Sequence, residues 1–427
     1  MEPFEKSIAA VKRLSARTVW PEGVTPVVAD PASNGNFWPT GFTLSGINCG
    51  IKPSRKDLML LLCDEPASTA SVFTTNLCCA APVELSKAAL RASGGKMRAV
   101  ICNSGNANAA TGASGMSNAQ RMADTTAAAF GLDASEVLVA STGVIGQTLP
   151  VGKIAEAMPS LKAASGATQW ADAAEAIMTT DTFPKAFAVD VALSGGAARI
   201  AGIAKGSGMI CPNMATMLAF LGTDAAIDPS LLQELLAAAN AVSFNAITVD
   251  GDTSTNDMAA IMASGKGAQV LRGSENARLF GEALRSVMTM LAQLIIVDGE
   301  GATKFVELRV TGAATDAEAR MAAMTVANSP LVKTAIHGED ANWGRIIAAA
   351  GRSGASFDQE RLAVSFDDEP ILKPGLDANF SEERAKAIMS KEEFTITLSL
   401  GNGPGAATVW TCDLSHGYIE INGSYRS

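Results

Sequence analysis

Histidine is almost absent from this 427-residue chain, which contains only His337 and His416. A Ser-His-Asp triad needs a histidine base, and catalytic zinc sites are commonly built on histidines, so the sequence leaves little room for either mechanism. Cysteine is scarce as well: the seven cysteines are odd in number, and no CxxC spacing occurs. We therefore expect buried, reduced thiols and predict no metal site.

An excess of positive charge is also missing. The chain has 33 Lys and Arg against 43 Asp and Glu, a formal net charge of −10. Nucleic-acid recognition depends on a basic face, so we predict no nucleic-acid partner. No apolar run approaches the 18 or more residues of a membrane span, and the opening stretch MEPFEKSIAAVKRL lacks the apolar core of a secretory signal. The expectation is a cytoplasmic protein with no membrane contact.

The most informative stretch that is present runs KGSGMICPNMATMLAFLGTD, from Lys205 to Asp224. Its apolar run Met217–Leu221 predicts a buried strand that Thr216 opens. Attack of the Thr216 hydroxyl on the Ala215 carbonyl, followed by hydrolysis of the resulting ester, would free the Thr216 α-amine. That amine has a reference pKa of about 8, so it can act as the base for its own hydroxyl. Taken alone, Thr216 also fits an ordinary β-branched residue of a buried strand.

Eight ordered blocks span nearly the whole chain: CNSGNANAATG (102–112), STGVIG (141–146), MTTDTFPK (178–185), GSGMICPNMATMLAF (206–220), ITVDGDTSTND (247–257), GEGATK (299–304), VKTAIHGEDANWGRI (332–346) and INGSYRS (421–427). Together they resemble the ArgJ family of glutamate and ornithine N-acetyltransferases. The resemblance implies a precursor that cleaves itself before the Thr of its ATML motif, here between Ala215 and Thr216. Fragments 1–215 and 216–427 would share one α+β fold, an αββα sandwich with a smaller second domain.

The same resemblance implies the site. In the family, the Thr-Gly pair of the STGVIG block forms the oxyanion hole, which implies Thr142 and Gly143 here. The implied substrate contacts are Thr179, Lys205, Thr216, Glu300, Asn422 and Ser427. A lysine suits a substrate carboxylate and a glutamate suits an ammonium, so the pair selects an α-amino acid. Without the resemblance, these residues would pass for surface, turn or chain-end positions.

The implied reaction is ping-pong acetyl transfer from N-acetyl-ornithine to glutamate, through an ester on Thr216, in arginine synthesis. The resemblance implies no cofactor, leaves acetyl-CoA open as a second acetyl donor, and implies two copies of each fragment. Two alternatives stay open: a self-cleaving amidohydrolase or aminopeptidase that passes the acyl group to water, and an uncleaved, inactive relative. Cys211 is a further candidate nucleophile, although no histidine lies near it in sequence to activate the thiol.

Strands alternate with alanine-rich helices along the chain, which favours a mixed α/β or α+β architecture. The pattern predicts a strand over Glu136–Ala140 that ends at the Ser-Thr-Gly turn, and a helix over Asn276–Val297 whose last four residues are open between helix and strand. The GNGPG stretch at 401–405 predicts a hairpin turn between two strands. Lys185–Leu193 and Ala198–Ala204 are predicted as two strands of a hairpin joined across Gly195-Gly196. Pro229–Val242 is predicted as an amphipathic helix that opens with proline.

The stretch DGDTSTND at 250–257 invites comparison with a calcium loop. The required glycine is replaced by Thr255, and the closing glutamate position is Ile261, so we predict capping and turn hydrogen bonds instead of a metal.

Overall fold

The computed structural model describes residues 3–32, 35–211 and 217–424. Within those ranges the apolar, β-branched runs form strands, as expected from their fit to a pleated surface. The strands are β1 (Val24–Val28), β2 (Phe42–Ile47), β3 (Leu58–Phe73), β4 (Lys96–Asn106), β5 (Val137–Val144), β6 (Lys185–Leu193), β7 (Gly196–Lys205), β8 (Leu218–Thr223), β9 (Ala226–Ile227), β10 (Ile247–Thr248), β11 (Met258–Ala263), β12 (Gln269–Val270), β13 (Phe305–Ala313), β14 (Ala363–Phe366), β15 (Glu369–Leu372), β16 (Glu393–Ser399) and β17 (Gly405–Cys412).

Several helices begin at side-chain caps. Asp228 accepts a hydrogen bond from the backbone N–H of Ser230 at the start of α6, and Ser274 accepts one from Ala277 at the start of α7. The helices are α1 (Pro3–Ser15), α2 (Ala81–Ala92), α3 (Gly112–Phe130), α4 (Val151–Ala163), α5 (Trp170–Ala176), α6 (Pro229–Ala241), α7 (Glu275–Val297), α8 (Asp316–Ala327), α9 (Pro330–His337), α10 (Trp343–Gly351), α11 (Glu382–Met389) and α12 (His416–Ser424).

The largest sheet has nine strands and folds back on itself along β3. We call β1, β6, β7, β8 and β11 one arm of the sheet, and β4 and β5 the other. The strand order of the sheet is β1-β6-β7-β8-β11-β3-β4-β5, and β2 also pairs with β3. The register of β3 against β4 shifts between Leu62 and Ala67, the kind of irregularity that bends a strand. One buried apolar cluster contains residues of both arms, such as Cys102 on β4 and Phe220 on β8. The two arms of the sheet therefore face each other across this cluster.

Helices cover the outer face of each arm. Leu291 on α7 and Phe187 on β6 belong to one outer cluster, and Ile154 on α4 and Ile101 on β4 belong to the other. The layers run helix, sheet, sheet, helix, because each arm buries one face against the other arm and the opposite face against helices. The predicted α+β class and αββα sandwich are confirmed.

A smaller unit is built from β10 and from the chain after α7. Its six strands have the order β10-β17-β13-β16-β14-β15, and α8 to α11 pack with them around a core of their own. This unit corresponds to the predicted second domain. It is not separate from the sandwich, since Trp410 and Cys412 at one end of β17 belong to the cluster that buries α7.

Helix α7 is long and apolar enough to cross a membrane by length and composition, but 61% of its most apolar window is buried inside the protein. It lies against β6 and β7. The helix is therefore packed as a core helix of the sandwich.

One local prediction about the second sheet was wrong. GNGPG is not a hairpin turn, because β13 lies between β16 and β17 and pairs with both, parallel to β16 and antiparallel to β17. The last four residues of α7, Leu294–Val297, which the sequence left open between helix and strand, are helical. The hairpin formed by β6 and β7 is confirmed, with Lys185 opposite Ala204 and Leu193 opposite Gly196.

Candidate active site

Six residues that the sequence assigned to one site line a single cavity: Thr142, Gly143, Thr179, Lys205, Glu300 and Asn422. They come from the end of β5, the segment before β6, the end of β7, the loop after α7, and α12. Met217, the neighbour of Thr216, lines the same cavity. Three other predicted residues, Ala215, Thr216 and Ser427, lie outside the described residues.

Lys205 is the cationic centre of the cavity. It is the last residue of β7, and its side chain is largely buried, with 9% of the residue exposed. The Nζ atom donates to Thr142 Oγ1 at 3.2 Å and to Thr179 Oγ1 at 3.1 Å. A buried ammonium needs such partners, and the two hydroxyls join three motifs that are distant in sequence. An ammonium carries three N–H donors, so Lys205 can still meet an anion in the cavity.

Glu300 supplies the negative side of the cavity. Its backbone N–H donates to the carbonyl of Ser207 at 3.0 Å, and its Oε2 accepts from the side-chain amide of Asn422 at 2.8 Å. Gly208 makes room for it, because a β-carbon at that position would lie 2.2 Å from Glu300 Oε2. The carboxylate is held by a loop, a helix and the segment that follows β7. A fixed carboxylate opposite a fixed ammonium suits a zwitterionic ligand.

Gly143 lies where two chain segments nearly touch. Its φ is +131°, and a β-carbon there would lie 2.3 Å from the carbonyl carbon of Gly105. Only glycine tolerates both conditions. The predicted strand over Glu136–Ala140 was too short, because β5 continues through the Ser-Thr-Gly residues to Val144, paired in parallel with β4. Helix α4 begins only at Val151, so no helix N-terminus adjoins Thr142 and Gly143.

A buried charge network lies beneath the cavity. Lys185, fully buried, contacts the carboxylates of Asp181 and Asp298 at 2.6 Å each. Asp181 also accepts from the backbone N–H of Gly206, next to Lys205, at 2.7 Å. Because Asp298 precedes the loop that carries Glu300, the network ties the two charged walls of the cavity together. Sequence reasoning missed it, although all three residues lie within or beside the recognised blocks.

The charges of this network shift the pKa values of its members. Burial alone would raise the pKa of Asp181, but the positive charges of Lys185 and Lys205 outweigh burial and hold it well below the ordinary value. Burial and the adjacent Asp181 raise the pKa of Asp298, although Lys185 opposes them. Burial would lower the pKa of Lys185, but its two carboxylate partners raise it. The lysine is therefore charged between two carboxylates that share it.

The aspartates of DGDTSTND contact the chain on both sides of the segment 212–216. Asp250 accepts from the backbone N–H groups of Met209 at 2.7 Å and Ile210 at 2.8 Å. Asp257 is buried, lines the cavity and accepts from the backbone N–H of Met217. The prediction that these side chains form hydrogen bonds with the backbone is confirmed, but the sequence did not show which backbone groups they bind. Sequence order alone does not show that residues some forty positions downstream lie beside this segment.

Asn256 links the same stretch to the other motifs. Its side-chain amide donates to the carbonyls of Ala107 at 2.6 Å and Ser141 at 2.9 Å. It thereby fixes the backbone directly before Thr142. The DGDTSTND segment thus reaches the asparagine-rich block, the Ser-Thr-Gly block and the segment around Met217.

The remaining candidates lie elsewhere. His337 bonds through Nδ1 to Asp413 at 2.8 Å, and its ring lies 6.3 Å from that of His416. The sulfur of Cys211 accepts from the side-chain amide of Asn328 at 3.5 Å, and the residue is half-buried. All seven cysteines are free thiols, but the expectation that they are buried was wrong for Cys78, which is exposed. In the part of the chain that the structure describes, no cluster of three His, Cys, Asp or Glu could hold a metal.

Comparison with known proteins gives consistent matches. A sequence model of the ArgJ family matches residues 43–427. The chain is 88% identical over 402 residues to "Arginine biosynthesis bifunctional protein ArgJ" of Chlorobaculum tepidum, covering 94% of this chain and 100% of that protein. It is 60% identical over 425 residues to the protein of the same name from Chlorobium chlorochromatii, covering 99% of each.

Two solved structures are also similar. The crystal structure of arginine biosynthesis bifunctional protein argJ from Bacillus halodurans shares 46% identity at a TM-score of 0.48, covering 49% of this chain and 100% of that chain. Ornithine acetyltransferase complexed with ornithine, from Mycobacterium tuberculosis, shares 36% identity at a TM-score of 0.41, covering 45% of this chain and 100% of that chain.

Proposed function

This chain belongs to the ArgJ family, and we propose that it transfers the acetyl group of N2-acetyl-L-ornithine to L-glutamate in arginine biosynthesis. The observation that carries the proposal is the cavity in which Lys205 and Glu300 face the same space beside Met217. Ornithine and glutamate share an α-carboxylate and an amine. The fixed cation can bind the carboxylate in both half-reactions, and the fixed carboxylate can accept from the α-nitrogen, which is an amide N–H in N2-acetyl-L-ornithine and an amine in glutamate.

The catalyst is made by self-cleavage. The Thr216 hydroxyl oxygen adds to the Ala215 carbonyl carbon, the peptide C–N bond breaks, and the hydroxyl proton passes to the released nitrogen. The product is an ester of Ala215 on the Thr216 side chain. Water hydrolyses this ester, which leaves a carboxylate on Ala215 and restores the Thr216 hydroxyl beside a free α-amine. In the acetyl transfer that follows, no histidine is needed, because that amine is the base.

The two fragments, 1–215 and 216–427, stay in one fold after the cut. Strand β7 lies before the proposed cleavage bond and pairs with β8 after it, from Ile200 opposite Thr223 to Lys205 opposite Leu218. Both strands also contribute to the same buried clusters. Separating the fragments would expose this core and break the β7–β8 hydrogen bonds, which is strongly unfavourable.

Acetyl transfer then proceeds in two steps. The Thr216 oxygen adds to the acetyl carbon of N-acetyl-ornithine, the amide C–N bond breaks, and the α-amine of Thr216 hands the hydroxyl proton to the departing ornithine nitrogen. In the second step the amine nitrogen of glutamate adds to the acetyl carbon, the ester C–O bond breaks, and the α-amine of Thr216 passes a proton from that nitrogen to the Thr216 oxygen, which restores the hydroxyl. Donors at Thr142 and Gly143 stabilise the oxyanion in both steps, as preorganised dipoles do in other acyl transfers.

The remaining contacts follow the same logic. We place the substrate carboxylate on Lys205, with Thr179 beside it, and the substrate amine on Glu300 and Asn422, with Ser427 as a further contact. Acetyl-CoA is the second acetyl donor in this proposal, in line with the word "bifunctional" in the names of the relatives. The enzyme is cytoplasmic, needs no metal or redox cofactor, and assembles as two copies of each fragment.

The test starts with intact mass under denaturing conditions and N-terminal sequencing of the fragments. We expect two fragments, each roughly half of 43.8 kDa, one of them beginning Thr-Met-Leu-Ala-Phe. Thr216→Ala should leave the 427-residue chain whole and inactive, whereas Thr216→Ser keeps a hydroxyl and an amine and should retain part of both activities. A whole wild-type chain would refute the proposal and support the inactive-relative alternative.

A second measurement separates transfer from hydrolysis. The cleaved enzyme is given N-acetyl-ornithine with and without glutamate, and N-acetylglutamate and free acetate are quantified by mass spectrometry. Transfer predicts N-acetylglutamate in step with ornithine release. Acetate release that does not depend on glutamate would support the amidohydrolase alternative.

Glu300→Gln, which keeps the shape but removes the charge, should lower kcat/KM for both substrates by about 10- to 100-fold.

A further inference from the structure

The segment Thr248–Met258 contacts the chain on both sides of the proposed cleavage bond. On the upstream side, Val249 donates its N–H and Thr248 its hydroxyl to the carbonyl of Ile210, at 2.7 and 3.0 Å. The hydroxyl of Thr253 donates to the carbonyl of Cys211 at 2.9 Å. On the downstream side, Met258 donates its N–H to the carbonyl of Met217 at 3.1 Å.

Two carboxyl groups of this segment complete the contacts. Both oxygens of Asp250 are used on the upstream side: Oδ2 accepts from Met209, and Oδ1 accepts from Ile210. Met209 has a φ of +56°, a conformation that residues other than glycine seldom adopt. A carboxylate bound to its N–H favours that conformation, so Asp250 holds the chain in an unusual path just before the cleavage segment.

Asp257 acts on the downstream side in a different way. One oxygen accepts from the N–H of Met217, whereas Oδ2 is buried without a hydrogen-bond partner. Asp257 also accepts from the side chain of Ser254, so it joins its own turn to the residue after Thr216 while it lines the cavity.

We propose that Asp250 and Asp257 are positioning residues for self-cleavage, Asp250 holding the backbone before the Ala215–Thr216 bond and Asp257 holding it after. This inference rests on the proposed function, because it concerns the same bond. The segment can serve this role because it is itself anchored: Asn256 bonds to the carbonyls of Ala107 and Ser141. The two residues are not interchangeable, since Asp250 uses two acceptors and Asp257 uses one.

That difference defines the experiment. Each variant is made by cell-free synthesis, and loss of the full-length chain is followed by intact mass. Asp250→Ala and Asp250→Asn should both slow cleavage at least about tenfold, because an amide keeps only one of the two acceptors. Asp257→Ala should slow cleavage similarly, whereas Asp257→Asn keeps the acceptor for Met217 and should cleave within about twofold of wild type.

Asp413→Asn is the control. Asp413 is as buried as Asp257, but it accepts from the backbone N–H groups of Thr303 and Lys304, away from the cleavage segment. This variant should cleave at the wild-type rate. The melting temperature of every variant is measured in a Thr216→Ala background, where all chains remain whole, so that a loss of stability is seen separately. Thr253→Val removes one upstream hydrogen bond, the one to the carbonyl of Cys211, with little change of shape, and should slow cleavage by a smaller factor. It replaces the Asp250 variants as the test of the upstream contacts if those variants do not fold.

The outcomes separate the two proposals. A wild-type chain that never cleaves overturns the proposed function and this inference with it. If wild type cleaves, three results overturn only the positioning role: Asp250→Asn at the wild-type rate, Asp257→Asn no better than Asp257→Ala, or Asp413→Asn as slow as Asp250→Asn. Slow cleavage in both Asp250 variants together with rescue by Asp257→Asn supports it.

Discussion

The side-chain amide of Asn422 donates to Oε2 of Glu300 at 2.8 Å, although the two residues are 122 positions apart. The contact depends on the close approach of α12 to the loop after α7, where a β-carbon at Gly301 would lie 2.3 Å from the backbone nitrogen of Tyr418. One oxygen of Glu300 is thus committed to the protein. The acidic wall of the cavity is built jointly by this loop and the last helix, and its geometry depends on glycines that let the segments meet.

Gly208→Ala should weaken substrate binding, because the added methyl group would lie 2.2 Å from Glu300 Oε2 and must displace the carboxylate. We expect KM for N-acetyl-ornithine and glutamate to rise about tenfold or more, the effect of losing a hydrogen bond to a charged group. Steady-state kinetics on cleaved enzyme measure this. Gly152→Ala on α4, where nothing lies within 4 Å, is the control and should leave KM unchanged. Equal KM values for both variants would contradict the assignment of Glu300.

Gly143→Ala should reduce catalysis through the backbone of Thr142 and Gly143. The new β-carbon would lie 2.3 Å from the carbonyl carbon of Gly105, so the proposed oxyanion donors must move. Loss of one such donor lowers kcat by about 10²- to 10³-fold. Gly146→Ala controls for backbone strain, since Gly146 also has a positive φ, +79°, but has no atom within 4 Å. A similar kcat in the two variants would argue against the oxyanion role.

Lys185→Met should destabilise the fold. It would leave the carboxylates of Asp181 and Asp298 buried without their shared cation. Breaking a buried ion pair in this way lowers the free energy of unfolding by about 3–5 kcal/mol. Arg278→Met removes an ion pair with Glu275 that is exposed to solvent, so it should lower the free energy of unfolding far less than Lys185→Met does. Denaturant unfolding of both variants in the Thr216→Ala background compares them, and equal losses would contradict the prediction.

Asp257 should make stability depend on pH. Burial raises the pKa of Asp257 well above its ordinary value, although the charge of Lys205 opposes the shift. The folded state therefore retains a proton on Asp257 that the unfolded chain releases above a pH of about 4. Between that pH and the pKa of Asp257 in the folded state, the free energy of unfolding falls as the pH rises. Asp257→Asn removes the effect. Its stability relative to wild type should rise by about 1.4 kcal/mol per pH unit in that window.

Unfolding of both chains in the Thr216→Ala background between pH 4 and pH 7 measures this difference. The depressed pKa of Asp181 acts in the opposite direction, since its contribution is lost as the pH falls, but it is common to both chains and cancels. A difference in stability that stays constant over the whole range would contradict a raised pKa at Asp257.

Local sequence patterns predicted much of the secondary structure. Strand β6 has the predicted bounds, Lys185–Leu193, and α6 ends at Ala241, one residue before the predicted end. These elements carry their own signals, such as the Gly-Gly turn after β6 and the proline at the start of α6. The GNGPG prediction failed because a glycine-rich turn indicates where a chain reverses, not which strand lies alongside. Strand β13, far upstream in sequence, occupies the place between β16 and β17.

The sequence by itself determined the class of fold and, through the resemblance of its motif blocks to the family, six of the residues that line the cavity, because motif blocks and apolar periodicity are local properties of the chain. Only the tertiary structure decided how those residues are held. The shared lysine between Asp181 and Asp298, the contact of Asn422 with Glu300, and the contacts of Asp250 and Asp257 on either side of segment 212–216 all join distant segments. Such contacts depend on the packing of the two sheet arms and the final helix, which no local pattern encodes.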